Sequence, residues 1–247
     1  MAVTAPPSSV SKLPWPVQFY RSAVGKKWVM AITGIILLGF VLAHMIGNLK
    51  VYIGFLAEEG AYEIDIYGEA LRSLFFPLLP EYVALWLLRI GLIAAFVLHL
   101  HSAYALTVMN RRARQVDYQG PRTYLAANYA SRTMRWTGII VLLYLAWHLA
   151  DFTWGVAPFA PDGWEYGAIY SNFIASFSRV PVAILYIVAN LALGVHIFHG
   201  AWSMFQSLGI NNPKFNAWRR YLAIAFAAVI VIDNVSFPIA VLAGLVS

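Results

Sequence analysis

Five stretches of the chain are apolar for long enough to cross a lipid bilayer: residues 28–49, 82–110, 134–152, 181–208 and 221–245. A helix rises about 1.5 Å per residue and the hydrocarbon core is about 30 Å thick, so roughly twenty apolar residues span it. In lipid a single segment satisfies its backbone hydrogen bonds only as a helix. The overall balance agrees, with 61% of the 247 residues hydrophobic and 11% charged. These features predict an all-α integral membrane protein with five transmembrane helices and exclude a soluble fold. Residues 1–27 read as a retained arm rather than a signal peptide, because Pro6, Pro7, Pro14 and Pro16 occupy the place of an apolar core. Residues 28–247 read as one membrane domain. The absence of cysteine removes disulfides, a thiolate nucleophile and any iron–sulfur cluster held by thiolates of this chain.

The formal charge of +6 is a topology signal, not a nucleic-acid footprint. With the N-terminus inside, the inner segments hold Lys12, Arg21, Lys26, Lys27, Arg111, Arg112, Arg114, Arg122, Arg132, Arg135, Lys214, Arg219 and Arg220, against one acid, Asp117. The outer segments and adjoining helix ends hold only Lys50, Arg72, Arg89 and Arg179, beside the acids Glu58, Glu59, Glu63, Asp65 and Glu69. Basic residues collect on the cytoplasmic side, so the expectation is N-terminus in and C-terminus out, in the cell's inner (plasma) membrane. Inner turns are expected at Gly120-Pro121 and at 209–213, and an aromatic outer loop near Pro158 and Pro161.

All six histidines, His44, His99, His101, His148, His196 and His199, fall inside the apolar spans. An imidazole in lipid is costly unless it is paired, so each is a functional candidate. The chain also repeats itself. "TGIILLGFVLAH" at 33–44 returns as "TGIIVLLYLAWH" at 137–148, with Met30 and Met134 at matching places upstream. "LHLHSAY" at 98–104 is echoed by "VHIFHGAW" at 195–202, aligning His99 with His196. Four spans therefore contribute one matched histidine each.

Depth sorts the four into pairs. His44 lies six residues before Lys50 and His148 three before Asp151, placing both within about 10 Å of the outer ends. His99 and His196 lie eighteen and seventeen residues after Glu81 and Arg179, about 26 Å from that side. Two imidazoles at one height on facing helices suit the two axial positions of a haem iron, and with both filled the haem carries electrons rather than activating oxygen. The expectation is a four-helix bundle holding two haem b groups, a distal one on His44 and His148 and a proximal one on His99 and His196. His101, about 200° round the helix from His99, cannot face the same iron. His199, three residues past His196 and roughly on its face, is left for a propionate, a quinone oxygen or no functional role. Small residues beside the ligands (Ala43, Gly47, Ala95, Ala103, Gly138, Ala146, Gly194, Gly200) serve either a flat macrocycle or helix packing.

With "RSAVGKKWVMAITGIILLGFVLAHMIGNLK" at 21–50, "HSAYALTVMNRRAR" at 101–114, "LAWH" at 145–148 and "VHIFHGAWSMFQSLGI" at 195–210, the chain resembles the di-haem cytochrome b membrane anchor of succinate:quinone oxidoreductases and quinol:fumarate reductases, the single-subunit, five-helix type. The resemblance covers about residues 18 to 245 and implies the same haem pairing, with a fifth helix free of ligands. It implies that a flavoprotein subunit and an iron–sulfur subunit dock on the basic cytoplasmic face, and that electrons are exchanged here with quinone, menaquinone ahead of ubiquinone. Electrons that cross the bilayer through a haem pair couple to the membrane potential, at about 2.3 kcal/mol per charge per 100 mV. Family members that oxidise menaquinol use an outer glutamate, which points to Glu69 for quinone protonation or leaves it as one of several solvated acids. Arg21 and Ser22 are placed to face a proximal quinone. Lys27, Arg132 and Arg135 either pair with propionates or anchor at headgroups, and Arg89, well inside the second span, calls for a propionate or acidic partner. The rivals are the di-haem anchor of a formate dehydrogenase or hydrogenase, a transporter with a histidine proton relay, and an anchor that has lost its haems.

Overall fold

The computed structural model describes residues 13–113, 129–210 and 212–247. The expected Gly120-Pro121 turn and Lys12, Arg114, Asp117 and Arg122 lie outside them, as does the side chain of Arg132. Five helices are long and apolar enough to span a membrane, as expected: α2 (Ala23–Asn48), α4 (Val83–Ala113), α5 (Tyr129–His148), α7 (Val180–Ser207) and α8 (Pro213–Leu242). The chain is an all-α integral membrane protein.

Three of these helices, α2, α5 and α8, start well before their apolar runs, and two of the starts carry a side-chain cap. Ser22 caps α2 by accepting the Gly25 N–H at 2.9 Å, five residues ahead of the expected start. Asn212 caps α8 through Lys214 N–H, with Pro213 at its first position. Basic residues fill both added segments (Lys26 and Lys27 in α2, Arg219 and Arg220 in α8), so hydropathy alone misses them. A short helix, α1 (Trp15–Arg21), precedes α2. Gly25 is needed at the junction, because a side chain there would run into the carbonyl of Phe19.

Within the membrane, α2 packs on α4 and α7, α7 packs on α5, and α8 lies against α7. The rings of His44 on α2 and His148 on α5 nevertheless approach within 5.8 Å. The four helices therefore run α4–α2–α7–α5 round a bundle, with α2 facing α5 and α4 facing α7 across its diagonals. Both expected histidine pairs are diagonal pairs.

One end carries a cap that hydropathy does not reveal. A 3-10 turn (Leu49–Tyr52), a two-residue hairpin of β1 (Phe55–Leu56) and β2 (Ala61–Tyr62), α3 (Glu63–Arg72) and α6 (Ile169–Phe177) close over the bundle. Tyr62 stacks on Tyr170 with centroids 3.6 Å apart, and Asp65 accepts the Tyr170 N–H at 2.9 Å, supplying α6 with a cap from another element. Val51, Ile64, Phe173, Phe177, Tyr186 and Phe237 form the buried core beneath. The other end carries α1.

Candidate cofactor site

Each repeated phrase forms a seat for the histidine of the next spanning helix. On α2, the Met30 carbonyl accepts from His99 Nδ1–H at 3.1 Å and Thr33 Oγ1 lies 3.2 Å from the same nitrogen. A Cβ on Gly34 would sit 3.5 Å from His99 Cε1. On α5, Met134 offers its backbone to His196, Thr137 Oγ1 lies 3.4 Å from Nδ1, and a Cβ on Gly138 would again sit 3.5 Å from Cε1. Thr33 and Thr137 also bond back to their own helices, which fixes their rotamers. A carbonyl only accepts, so Nδ1 carries the proton in both rings and Nε2 keeps its lone pair for a metal. The echo in the sequence is therefore a repeated seat, built once by α2 for α4 and once by α5 for α7.

His44 and His148 lie eleven residues beyond Thr33 and Thr137 along the same helices, about 16 Å further toward the cap. Their ring planes stand 84° apart. His44 stacks on Phe40, and His148 is flanked by Phe152 and Tyr186.

The residues present fit bis-imidazole iron. Two imidazoles bonded to one metal at a distance of about 2 Å place their ring centroids about 6 Å apart, and the His44 and His148 rings stand at 5.8 Å. None of the four histidines is packed shut: His44 is exposed and His99, His148 and His196 are half-buried. On the same helices, the buried Ser102 Oγ, Trp147 Nε1, His199 Nδ1 and Trp202 Nε1 have no hydrogen-bond partner among the described residues. No cluster of three or more His, Asp or Glu side chains forms a cage for a bare ion among the described residues. Paired histidines instead suit a metal whose equatorial ligands come from a macrocycle.

The other expected site residues fall in different places. His101 turns away from His99 onto α1, where Tyr20 stacks on it and its hydroxyl lies 2.5 Å from Nδ1. Lys26, buried, places its ammonium 3.9 Å from the centre of the Tyr20 ring. His199 lies edge to face with Trp202. Ser22 is engaged in the helix cap and donates to the Phe19 carbonyl, and Arg21 is exposed at the end of α1. Arg89 is exposed and lies over the Trp86 ring, and no acid among the described residues pairs with it. Glu69 is largely exposed and is bonded to Arg72 on the cap at 2.6 Å. Gly47 and Gly194 serve close packing, against Tyr67 and Val231, whereas Gly138 seats His196.

Sequence reading passed over Asp151, using it only to mark a helix end. It is fully buried in a π-helical turn (Leu149–Thr153) directly after His148. An acid inside the last turn of an apolar span, followed at once by Phe152, was the available signal.

A sequence model of the family described as the succinate dehydrogenase/fumarate reductase transmembrane subunit matches residues 121–232. Over that segment, somewhat less than half of the chain, the protein is similar to that family. The matched segment contains His148 and His196, while His44 and His99 precede it and are tied to it by the internal echo. No curated protein and no solved structure matches the chain.

Proposed function

We propose that the chain is the cytochrome b anchor of a succinate dehydrogenase or fumarate reductase, holding two haem b groups in two tiers, His44 with His148 at the cap end and His99 with His196 at the arm end. The observation that carries this reading is the facing of His44 and His148 across a bundle diagonal at 5.8 Å. The duplicated Met-Thr-Gly seat supports the second tier. Held by these paired imidazoles, haem b would supply reversible one-electron transfer. The protein's part is to hold the imidazoles at fixed heights, to orient their Nδ1–H groups and to surround the tiers with apolar helix.

Sidedness follows from charge: Lys27, Arg111, Arg112, Arg135 and Arg220 stand at the arm end, and the acids of the hairpin and α3 at the cap end. The arm end is then cytoplasmic and is where an iron–sulfur partner, itself bound to a flavoprotein, docks. Electrons pass between that partner and membrane quinone through this chain.

Haem content of the purified complex tests the reading. Two haems per chain are expected, falling to one in His44→Ala or His148→Ala and to one in His99→Ala or His196→Ala. A complex without a haem absorption band overturns it. A co-purifying large subunit that carries molybdenum or nickel in place of flavin transfers the anchor to another dehydrogenase.

A further inference from the structure

Three of the four paired histidines have a plain environment. His99 bonds the neutral Met30 carbonyl, His196 faces the neutral Thr137 hydroxyl, and His44 stacks on Phe40. His148 differs. Its Nδ1 faces the hydroxyl of Tyr186 at 3.5 Å, the long end of a hydrogen bond. The same hydroxyl lies 3.0 Å from Oδ2 of Asp151. Ser176 Oγ donates to that carboxylate, 2.8 Å from one oxygen and 2.6 Å from the other, and Arg179 Nη2 donates to Oδ1 at 3.0 Å and to Ser176 Oγ at 2.9 Å. Asp151 is fully buried, and an arginine plus two hydroxyls is the donor set of an ionised carboxylate.

The direction of each bond follows from valence. A carboxylate accepts only, so the single proton of Tyr186 goes to Asp151, which leaves a hydroxyl lone pair for His148 Nδ1–H. Tyr186 cannot swing away, because its ring is wedged among Tyr144, Phe152 and Phe177, with centroids 5.2, 5.8 and 5.0 Å away. An imidazole whose N–H leans on an anion through one hydroxyl is a more basic ligand than one leaning on an amide carbonyl, and a more basic axial ligand favours the ferric state.

We propose that Asp151, Tyr186, Ser176 and Arg179 are a positioning set for His148, which fixes the orientation of its ring and lowers the reduction potential of the cap-end haem relative to one held by plainly bonded histidines. Resting on the haem reading above, this assigns to one ligand of four a tuning device the others lack.

The test is a redox titration of the purified complex, with the cap-end haem identified as the one lost in His44→Ala. Tyr186→Phe removes only the hydroxyl and keeps every ring contact; Asp151→Asn keeps the shape and removes the charge. Both variants are expected to retain two haems, to shift the cap-end midpoint to a more positive potential and to alter the electron-spin signature of that ferric haem, with the arm-end midpoint unmoved. The proposal is overturned if Tyr186→Phe leaves the cap-end midpoint in place, moves it negative, moves both midpoints equally or simply loses the haem. Should Asp151→Asn fail to assemble, Tyr186→Phe decides alone. A wild-type complex with no haem defeats the functional reading itself, whereas two haems with an unmoved potential defeat only this inference.

Discussion

Thr33 Oγ1 stands 3.2 Å from His99 Nδ1, and the next residue, Gly34, leaves the ring its space: a methyl group on Gly34 would meet His99 Cε1 at 3.5 Å, ordinary van der Waals contact. Gly138 holds the same relation to His196. Alanine at either position is therefore expected to be accepted, with two haems retained and no loss of stability, since alanine is the better helix former by about 1 kcal/mol. Leucine is not expected to be accepted, because its branch must occupy the volume of the imidazole. Gly34→Leu and Gly138→Leu should each reduce haem from two to one per chain, the arm-end haem being lost, as read from haem absorbance per chain.

His101 is the control that separates ligand from neighbour. It stacks on Tyr20 of α1 and stands clear of the α2 seat that holds His99. His101→Ala should leave two haems in place and instead loosen α1, which Tyr20 ties to His101 by stacking and by its hydroxyl. Limited proteolysis in the first 22 residues should accelerate while the absorption spectrum stays unchanged. Loss of a haem in this variant, with none lost in His99→Ala, reverses the assignment of the arm-end tier.

The parts of the molecule legible in the sequence are those built on long periodicities. Spans of about twenty apolar residues and a twelve-residue echo survive any local detail, so the five helices and the four matched histidines were readable without coordinates. The cap was not. α3 is short and carries Glu63, Asp65 and Glu69, so hydropathy reads it as loop, and α6 is held by an aspartate 105 positions away in the chain. Asp151 was hidden for the same reason. Its partners Ser176, Arg179 and Tyr186 lie 25, 28 and 35 residues downstream, and nothing local says that they converge. Ser22, expected to face a quinone, also caps α2 by accepting the Gly25 N–H, a role that becomes visible only once the helix start is placed.

The α6 cap gives a separate measure of how firmly the covering elements are tied down. Asp65 Oδ1 takes the Tyr170 N–H, one of the donors a helix start leaves unpaired. Asp65→Ala should lower the stability of the detergent-solubilised complex by about 1 kcal/mol, the usual value of such a cap. Asp65→Asn, whose amide oxygen still accepts, should cost a few tenths. Thermal unfolding followed by intrinsic tryptophan emission distinguishes the two, and an equal loss in both variants would mean that the charge, not the hydrogen bond, is what matters there.

Arg179 provides the sharpest stability contrast. Its guanidinium is the only cation paired with Asp151 among the described residues, and the carboxylate is fully buried. Removing one partner of a buried pair strands the other charge, at a typical cost of about 3–5 kcal/mol. Arg179 keeps 28% of its side chain exposed, so water can reach the pair and the lower end applies. Arg179→Met is therefore expected to destabilise the complex by about 3 kcal/mol and to lower its inactivation temperature. Removing both charges with Asp151→Leu and Arg179→Met together should recover much of that loss, because two apolar side chains leave no unpaired charge behind. If the double variant is less stable than Arg179→Met alone, the carboxylate is worth more to the bundle through Ser176 and Tyr186 than its desolvation costs, and the pair is a structural brace as well as a neighbour of His148.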